Sequence, residues 1–323
     1  MPRWTHIESM NFLKLILVPW LLVVMLGCQV DDGRPLKVAT NLWPGYEPLY
    51  LAQYLGVFGK NVEIIQLSSA TEVMRAMAHG NLDVAALTLD EAISLMAQGL
   101  ELELVLVMDY SRGGDAVVTL NNEVRSLDGL RVGVENTALG AIVLSEALRQ
   151  QRLGAGDIEV VNVSPDDHEK ALKDGEVDAV VTFEPRLTRL LAMGGKVLFD
   201  TRQAPELVVD ILVARKESLV SRPRQLKHLV EGYFEARKYM ESHHSESQVF
   251  FSKRLKLEKS QLQQAFQGLY LPTLEDNKKW FSGQPSPYQN SFMRVLEVMH
   301  IHNLVKGSPQ AENPPPWLLE VSG

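Results

Sequence analysis

Gly80-Asn-Leu-Asp-Val-Ala-Ala-Leu-Thr-Leu-Asp-Glu (residues 80–91) and Gly175-Glu-Val-Asp-Ala-Val-Val-Thr-Phe-Glu-Pro (residues 175–185) are two versions of one pattern. Each has a glycine turn, an acid, a short apolar run, then a threonine followed two residues later by another acid. A short apolar run bounded by turn residues reads as a buried strand, and a threonine at its end reads as the cap of a helix. Upstream, Lys37-Val-Ala-Thr precedes the first version and Arg131-Val-Gly-Val the second, 94 residues later. Ala86-Leu-Thr-Leu-Asp-Glu and Val180-Val-Thr-Phe-Glu-Pro keep the same offset, and only the glycine turn slips by one residue. Two lobes on one βαβ plan, with a cleft between them, produce this repeat.

Further strands are expected at Leu36–Asn41, Val62–Leu67, Val84–Leu87, Glu103–Met108, Ala116–Leu120, Arg131–Glu135, Ile158–Val163, Ala179–Phe183, Lys196–Asp200 and Val208–Ala214. Amphipathic stretches at Leu49–Leu55, Thr71–His79, Asp90–Gln98, Leu139–Arg152 and Asp166–Lys173 separate them. The alternation is that of an α/β protein with parallel sheets. From Pro223 the text is helical, without strands, to about Leu304. Residues 305–323, with Pro314 to Pro316, read as an extended tail pinned by Trp317 and Leu318.

The chain has one cysteine, Cys28, directly after the apolar run Leu15–Gly27. A basic start, a short apolar core and a small residue before a cut form an export signal, here residues 1–27. That run is too short for a spanning helix, which needs roughly 20 residues. Met25-Leu26-Gly27-Cys28 resembles a bacterial lipobox, which implies lipidation of Cys28 and a tether over residues 28–36. Either Met1 or Met10 serves as the start. Removing 1–27 from 323 residues leaves 296, enough for two domains, and loss of Arg3, Lys14 and Glu8 moves the net charge from −8 to −9. An acidic body without a basic stripe does not suit nucleic acid. With no cysteine beyond Cys28, disulfides, thiolate metal sites and a cysteine nucleophile are excluded from the body. No cofactor or metal is expected.

Ligands of open α/β sheets bind beyond the carboxyl ends of strands, where helix N-termini converge. The first strand runs into Asn41-Leu-Trp-Pro-Gly-Tyr-Glu-Pro, placing Trp43, Gly45, Tyr46 and Glu47 at such an end. The second leads to Ser68-Ser69-Ala70-Thr71, a hydroxyl-rich helix start, and the third to Thr88 and Asp90, mirrored by Thr182, Phe183 and Glu184. Asn136 and Thr137 follow the first strand of the second half. Asp210 lies inside an apolar run and needs an internal partner or a ligand. These loops carry Glu47, Asp90, Glu184 and Asp210 but no Lys or Arg; Arg112 and Arg186 lie nearby. Acids beside aromatics favour an amine, amidine or protonated heterocycle over a free anion.

Lys37–Leu55, Gly80–Leu87, Gly113–Val118, Leu127–Val134 and Gly175–Pro185 resemble, in order, stretches of the NitT/TauT-type periplasmic substrate-binding proteins. Members of that family handle nitrate, taurine, alkanesulfonates and thiamine pyrimidine precursors. The resemblance implies a type II periplasmic-binding fold whose C-terminal helices complete lobe 1, with residues 37–112 plus 209–304 as lobe 1 and 113–208 as lobe 2. It implies ligand contacts from Trp43–Glu47, Ser69–Thr71, Thr88–Asp90, Asn136–Thr137 and Glu184. The Gly45-Tyr46-Glu47-Pro48 wording departs from the nitrate and sulfonate subgroups, so their ligands do not carry over. The implied partners are an ABC permease and ATPase, reached by a monomer on the extracytoplasmic face of the inner or outer membrane.

Two other functions use the same fold. One is a ligand-sensing input to a membrane sensor kinase. The other is a pyrimidine-precursor synthase, which consumes its own histidine and lysine-bound pyridoxal phosphate. That enzyme type is cytosolic and has a cysteine-rich motif, which this chain lacks. His79, His243, His244, His300 and His302 fall at helix ends and polar stretches without ligand or base spacing. The hinge for closure is expected near Asp109–Gly114 and Glu206–Leu212.

Overall fold

The computed structural model describes Met1, residues 33–311, Pro315, Trp317, Leu318 and Val321. The export signal over 1–27, Cys28 and most of the tether lie outside the described residues. Ten strands occur where the apolar runs predict them: β1 Leu36–Thr40, β2 Val62–Gln66, β3 Val84–Thr88, β4 Leu102–Ser111, β5 Asp115–Thr119, β6 Arg131–Val134, β7 Glu159–Asn162, β8 Ala179–Phe183, β9 Lys196–Asp200 and β10 Val209–Arg215. An eleventh, β11 Leu269–Tyr270, lies in the region read as strand-free. It is only a two-residue edge pairing with Tyr110 and Ser111 of β4, too short to leave a periodic signal.

Two sheets form, ordered β11-β4-β10-β3-β1-β2 and β7-β6-β8-β5-β9. In each, a parallel trio (β2-β1-β3 and β7-β6-β8) is followed by one reversed strand. The expected parallel sheets are therefore mixed. The physical reason is connectivity. The chain leaves the first sheet along β4, enters the second as β5, and returns along β10. A strand arriving from the other lobe runs against its new neighbours.

Helices cover the sheets. The first five are α1 Glu47–Tyr54, α2 Ala70–Ala78, α3 Leu89–Ala97, α4 Ala138–Gln151 and α5 His168–Lys173. Each begins within two residues of its amphipathic stretch. Next come α6 Arg186–Ala192, α7 Lys216–Ser221, α8 Pro223–Ser242, α9 His244–Leu255, α10 Lys259–Gln267, α11 Leu274–Phe281 and α12 Pro287–Ile301. In β5, Val117 joins one buried cluster with Ala179 and Val181, while Ala116 and Val118 join another with Val180. That is the two-residue alternation of a sheet buried on both faces. The C-terminal helices share one large core with the first sheet, through Leu226, Tyr233, Phe251, Phe281 and Phe292. Asn277 of α11 accepts from Val107 N–H (2.8 Å) and donates to its C=O (3.1 Å), serving a stretch of β4 that β11 does not reach. Leu318 and Val321 are buried and Trp317 partly buried against the same core. Among the described residues no helix is long and apolar enough to cross a membrane.

Candidate functional site

The carboxyl ends of both parallel trios converge on a cavity of about 20 Å³, room for about one water in this arrangement of the side chains. Its walls are Asn41, Trp43, Tyr46, Ala70, Thr88, Glu91, Asp115, Glu135, Leu139, Phe183, Val208 and Asp210. Six of these, Trp43, Tyr46, Ala70, Thr88, Phe183 and Asp210, are residues the sequence singles out.

The loop after β1 is built by close approach. Pro44 and Gly45 start a short 3₁₀ turn that feeds α1. A Cβ on Gly45 would lie 1.8 Å from Asp109 Oδ2, so only glycine fits. The Trp43 indole N–H donates to both oxygens of Asp109, at 3.2 and 3.0 Å. Its ring stands edge-on to Phe183 of the other lobe, with centroids 6.2 Å apart. Tyr46 donates its hydroxyl to Asp210 Oδ1.

Asp210 sits opposite Thr88 on one side and Asp109 on the other. Burial, then the charge of Asp109, pushes its carboxyl well above the usual range. Burial raises Asp109 to about 8. Burial this deep disfavours two charges side by side and so favours the protonated forms. Asp115 is the acid of the second sheet's reversed strand; it lies opposite Phe183, one place from Ala116, which pairs with Thr182 as Asp210 pairs with Thr88, and burial raises it to about 7 against a hydrogen bond from Ser111. Glu91 accepts from Thr88 N–H at 3.0 Å. Burial and the neighbouring Asp90 raise it well above the usual range.

Three carboxylate oxygens of this lining, Glu91 Oε1, Asp115 Oδ2 and Asp210 Oδ2, are buried without a hydrogen-bond partner. Among the described residues no Lys, Arg or His lines the cavity. Arg186 instead pairs with Asp166 and lies 5.4 Å from the Phe183 ring centroid, and Arg112 lies 4.4 Å from the Tyr270 ring centroid. Among the described residues no group of three or more His, Cys, Asp or Glu is arranged to hold a metal ion.

The other singled-out residues stand off the cavity. Glu47 is buried and paired with Arg254 of α9 at 2.7 Å, and that guanidinium lies 3.4 Å from the Tyr50 ring centroid. Ser69 caps α2 by accepting from Glu72 N–H, and Thr137 caps α4 by accepting from Gly140 N–H. Asn136 is exposed. Asp90, in the first turn of α3, is buried and not part of the lining, though its charge acts on the lining acids Glu91 and Asp115. Glu184 turns back into its own lobe, accepting from Thr188 N–H (3.1 Å) and Oγ1–H (2.9 Å). Thr71 donates to Glu135, described below.

Sequence reasoning passes over Asn41, Glu91, Asp115, Glu135, Leu139 and Val208. The repeat holds a signal for two of them: Asn41 and Glu135 occupy the same place after β1 and β6, 94 residues apart. Asp115 reaches the cavity from the reversed strand of the second sheet, a placement that no linear offset displays.

Comparison with known proteins places this architecture. The chain is similar to the taurine-binding periplasmic protein of Escherichia coli, at 25% identity over 64% of this chain and 67% of that protein. It is similar to a putative aliphatic sulfonates-binding protein of Bacillus subtilis, at 22% identity over 74% and 77%. In structure it is similar to the ligand-binding component of an ABC-type import system from Staphylococcus aureus, with a TM-score of 0.71, 16% identity, and coverage of 90% of this chain and 99% of that one. The expected family and bilobed binding-protein fold are thereby upheld. Residues 31–250 match the model of the NMT1-like family, and with well over half its length inside that match the chain belongs to this family.

Proposed function

We propose that the chain is the extracytoplasmic solute-binding component of an ABC importer, and that it captures a small nitrogen-containing cation by lobe closure. The family and the roles printed for its relatives support the transport half. They also favour binding over catalysis. The ligand's sign rests on one observation: Glu91 Oε1, Asp115 Oδ2 and Asp210 Oδ2 meet at the cavity unpartnered, from three elements and both lobes, with no cation in the lining. Buried acceptors without donors cost about 1–3 kcal/mol each. A ligand carrying N–H donors and positive charge removes that cost, and the faces of Trp43 and Tyr46 favour the same charge. A sulfonate would add a fourth set of acceptors and, wherever these acids are ionised, a repelled charge.

In this reading residues 37–112 plus 209–304 form lobe 1 and 113–208 form lobe 2. They hinge at the crossings after Ser111 and before Val209. Closure follows from contacts that exist only when both lobes touch the ligand. Cys28 carries the lipid that holds the monomer to its membrane, since two or more acyl chains anchor stably where one is marginal. Permease and ATPase subunits receive the ligand.

A thermal-shift panel tests the ligand class. Ethylamine, guanidinium and an aminopyrimidine represent cations; ethanesulfonate and nitrate represent anions. Cations are expected to raise Tm, by about 2.7 kcal/mol of stabilisation at a hundredfold excess over Kd. Stabilisation by anions alone overturns the assignment. Native mass spectrometry of the secreted body would weigh a retained ligand directly.

A further inference from the structure

We propose that Glu135 is a residue by which the second lobe grips the first at the cavity, and by which the cavity refuses acidic ligands; the second role rests on the cation reading above. Glu135 follows β6 directly, yet its carboxylate reaches the first turn of α2 in the other lobe. Its Oε1 accepts from Thr71 Oγ1–H at 2.7 Å and from Thr71 N–H at 3.3 Å. Ser69 already covers Glu72 N–H as the cap of that helix. A helix start stabilises negative charge through its free N–H groups and its dipole. Here a carboxylate of the protein's own chain takes that stabilisation.

Glu135 also lines the cavity, and its charge contributes to the upward shift of Glu91. An acidic ligand would have to displace it from Thr71, and would still face Glu91, Asp115 and Asp210. The matching residue of the first half is the neutral Asn41, so the acid at this place is not a general demand of the repeat. Other bonds also join the two halves: Arg189 Nη2–H to the Leu255 carbonyl of α9 at 2.6 Å, the Ser111 and Thr201 hydroxyls at 2.8 Å, and Arg294 to Glu206 at 3.4 Å, but none of these residues lines the cavity. Glu135–Thr71 ends on two side chains and can be removed from either partner.

The test uses the full secreted body with Glu135→Ala, Glu135→Gln and Thr71→Val. Affinities for ethylamine and ethanesulfonate are measured by calorimetry, and compactness by X-ray scattering. Glu135→Ala should shift the amine-to-sulfonate preference at least tenfold toward the sulfonate and enlarge the radius of gyration. Glu135→Gln should shift the preference as well while keeping the wild-type radius, because its amide oxygen still accepts from Thr71. Thr71→Val should enlarge the radius with a smaller change in preference. Unchanged preference and radius in all three variants overturn the inference, and leave the cation reading intact if the wild type still selects the amine. A wild type that selects the sulfonate sinks that reading, whereas an enlarged Glu135→Ala body would still uphold the grip on α2.

Discussion

The ends of β3 and β8 carry the same short phrase, Thr88-Leu-Asp-Glu and Thr182-Phe-Glu-Pro, and use it differently. In the first lobe the run continues one residue further into an acid, so Asp90 is buried under α3 while Glu91 reaches the cavity. In the second lobe proline stands where Glu91 would be. Glu184 folds back to serve Thr188, and Phe183 reaches the cavity instead. The same local plan thus delivers a carboxylate from one side and an aromatic from the other. Each lobe then adds an acid from its reversed strand, Asp210 or Asp115. The difference teaches that the repeat sets where side chains converge, while single substitutions decide what they present.

The sharpest way to test this asymmetry is at Glu47, whose place in the second half is taken by Ala141. Burial raises Glu47 to about 7 even with Arg254 beside it. Arg254→Ala should leave an unanswered buried acid and cost about 3 kcal/mol, seen as a Tm fall of roughly 6–12 °C. An unchanged Tm would mean that the first lobe does not depend on its C-terminal helices here.

The contributions of Asp115 and Asp210 can be compared next. Asp115→Asn and Asp210→Asn should each weaken a cationic ligand by about 2 kcal/mol, near thirtyfold, because each removes an acceptor that ionises against the bound charge. Calorimetry reads the loss. If only one variant weakens binding, the ligand touches one lobe's acid alone.

Ligand-free stability should depend on pH through these acids. Unfolded carboxyls titrate near 4, whereas Asp109 and Asp115 titrate at about 8 and about 7 in the fold. Between those limits the folded state binds more protons than the unfolded state, so stability falls as pH rises. Tm should be at least ~3 °C higher at pH 5.5 than at pH 8, since one unit on one carboxyl is about 1.4 kcal/mol. Cation affinity should run the other way and strengthen toward pH 8 as the acids ionise. A flat Tm across this window would place ordinary, solvated carboxyls at the site.

The smallest effect compares the two phrases themselves. Glu184→Gln should cost about 1 kcal/mol of stability through the weakened bonds to Thr188, with ligand affinity near wild type. Glu91→Gln should do the reverse. Equal losses of affinity would erase the distinction drawn between the lobes.

Much of this was legible beforehand from particular residues. The runs at 84–87 and 179–183 announce β3 and β8, and Ser69 and Thr137 announce their helices. Trp43, Tyr46, Thr88 and Asp210 line the cavity. Glu47, Asp90 and Glu184 do not, although they belong to the same loops, because a carboxylate at a strand end can turn toward a neighbour in its own lobe. Arg254 lies 207 positions from Glu47 in a helix without a motif, so the partnership has no local trace.

By itself the sequence determined the elements, their order and the two-lobed plan, because apolar periodicity and helix caps are local properties of a few neighbouring residues. Only the tertiary structure decided which strands run backwards, which acids are buried side by side, and which carboxylates find a partner. Those outcomes depend on what two distant segments place within hydrogen-bond reach in a dry interior, where an unanswered charge costs most.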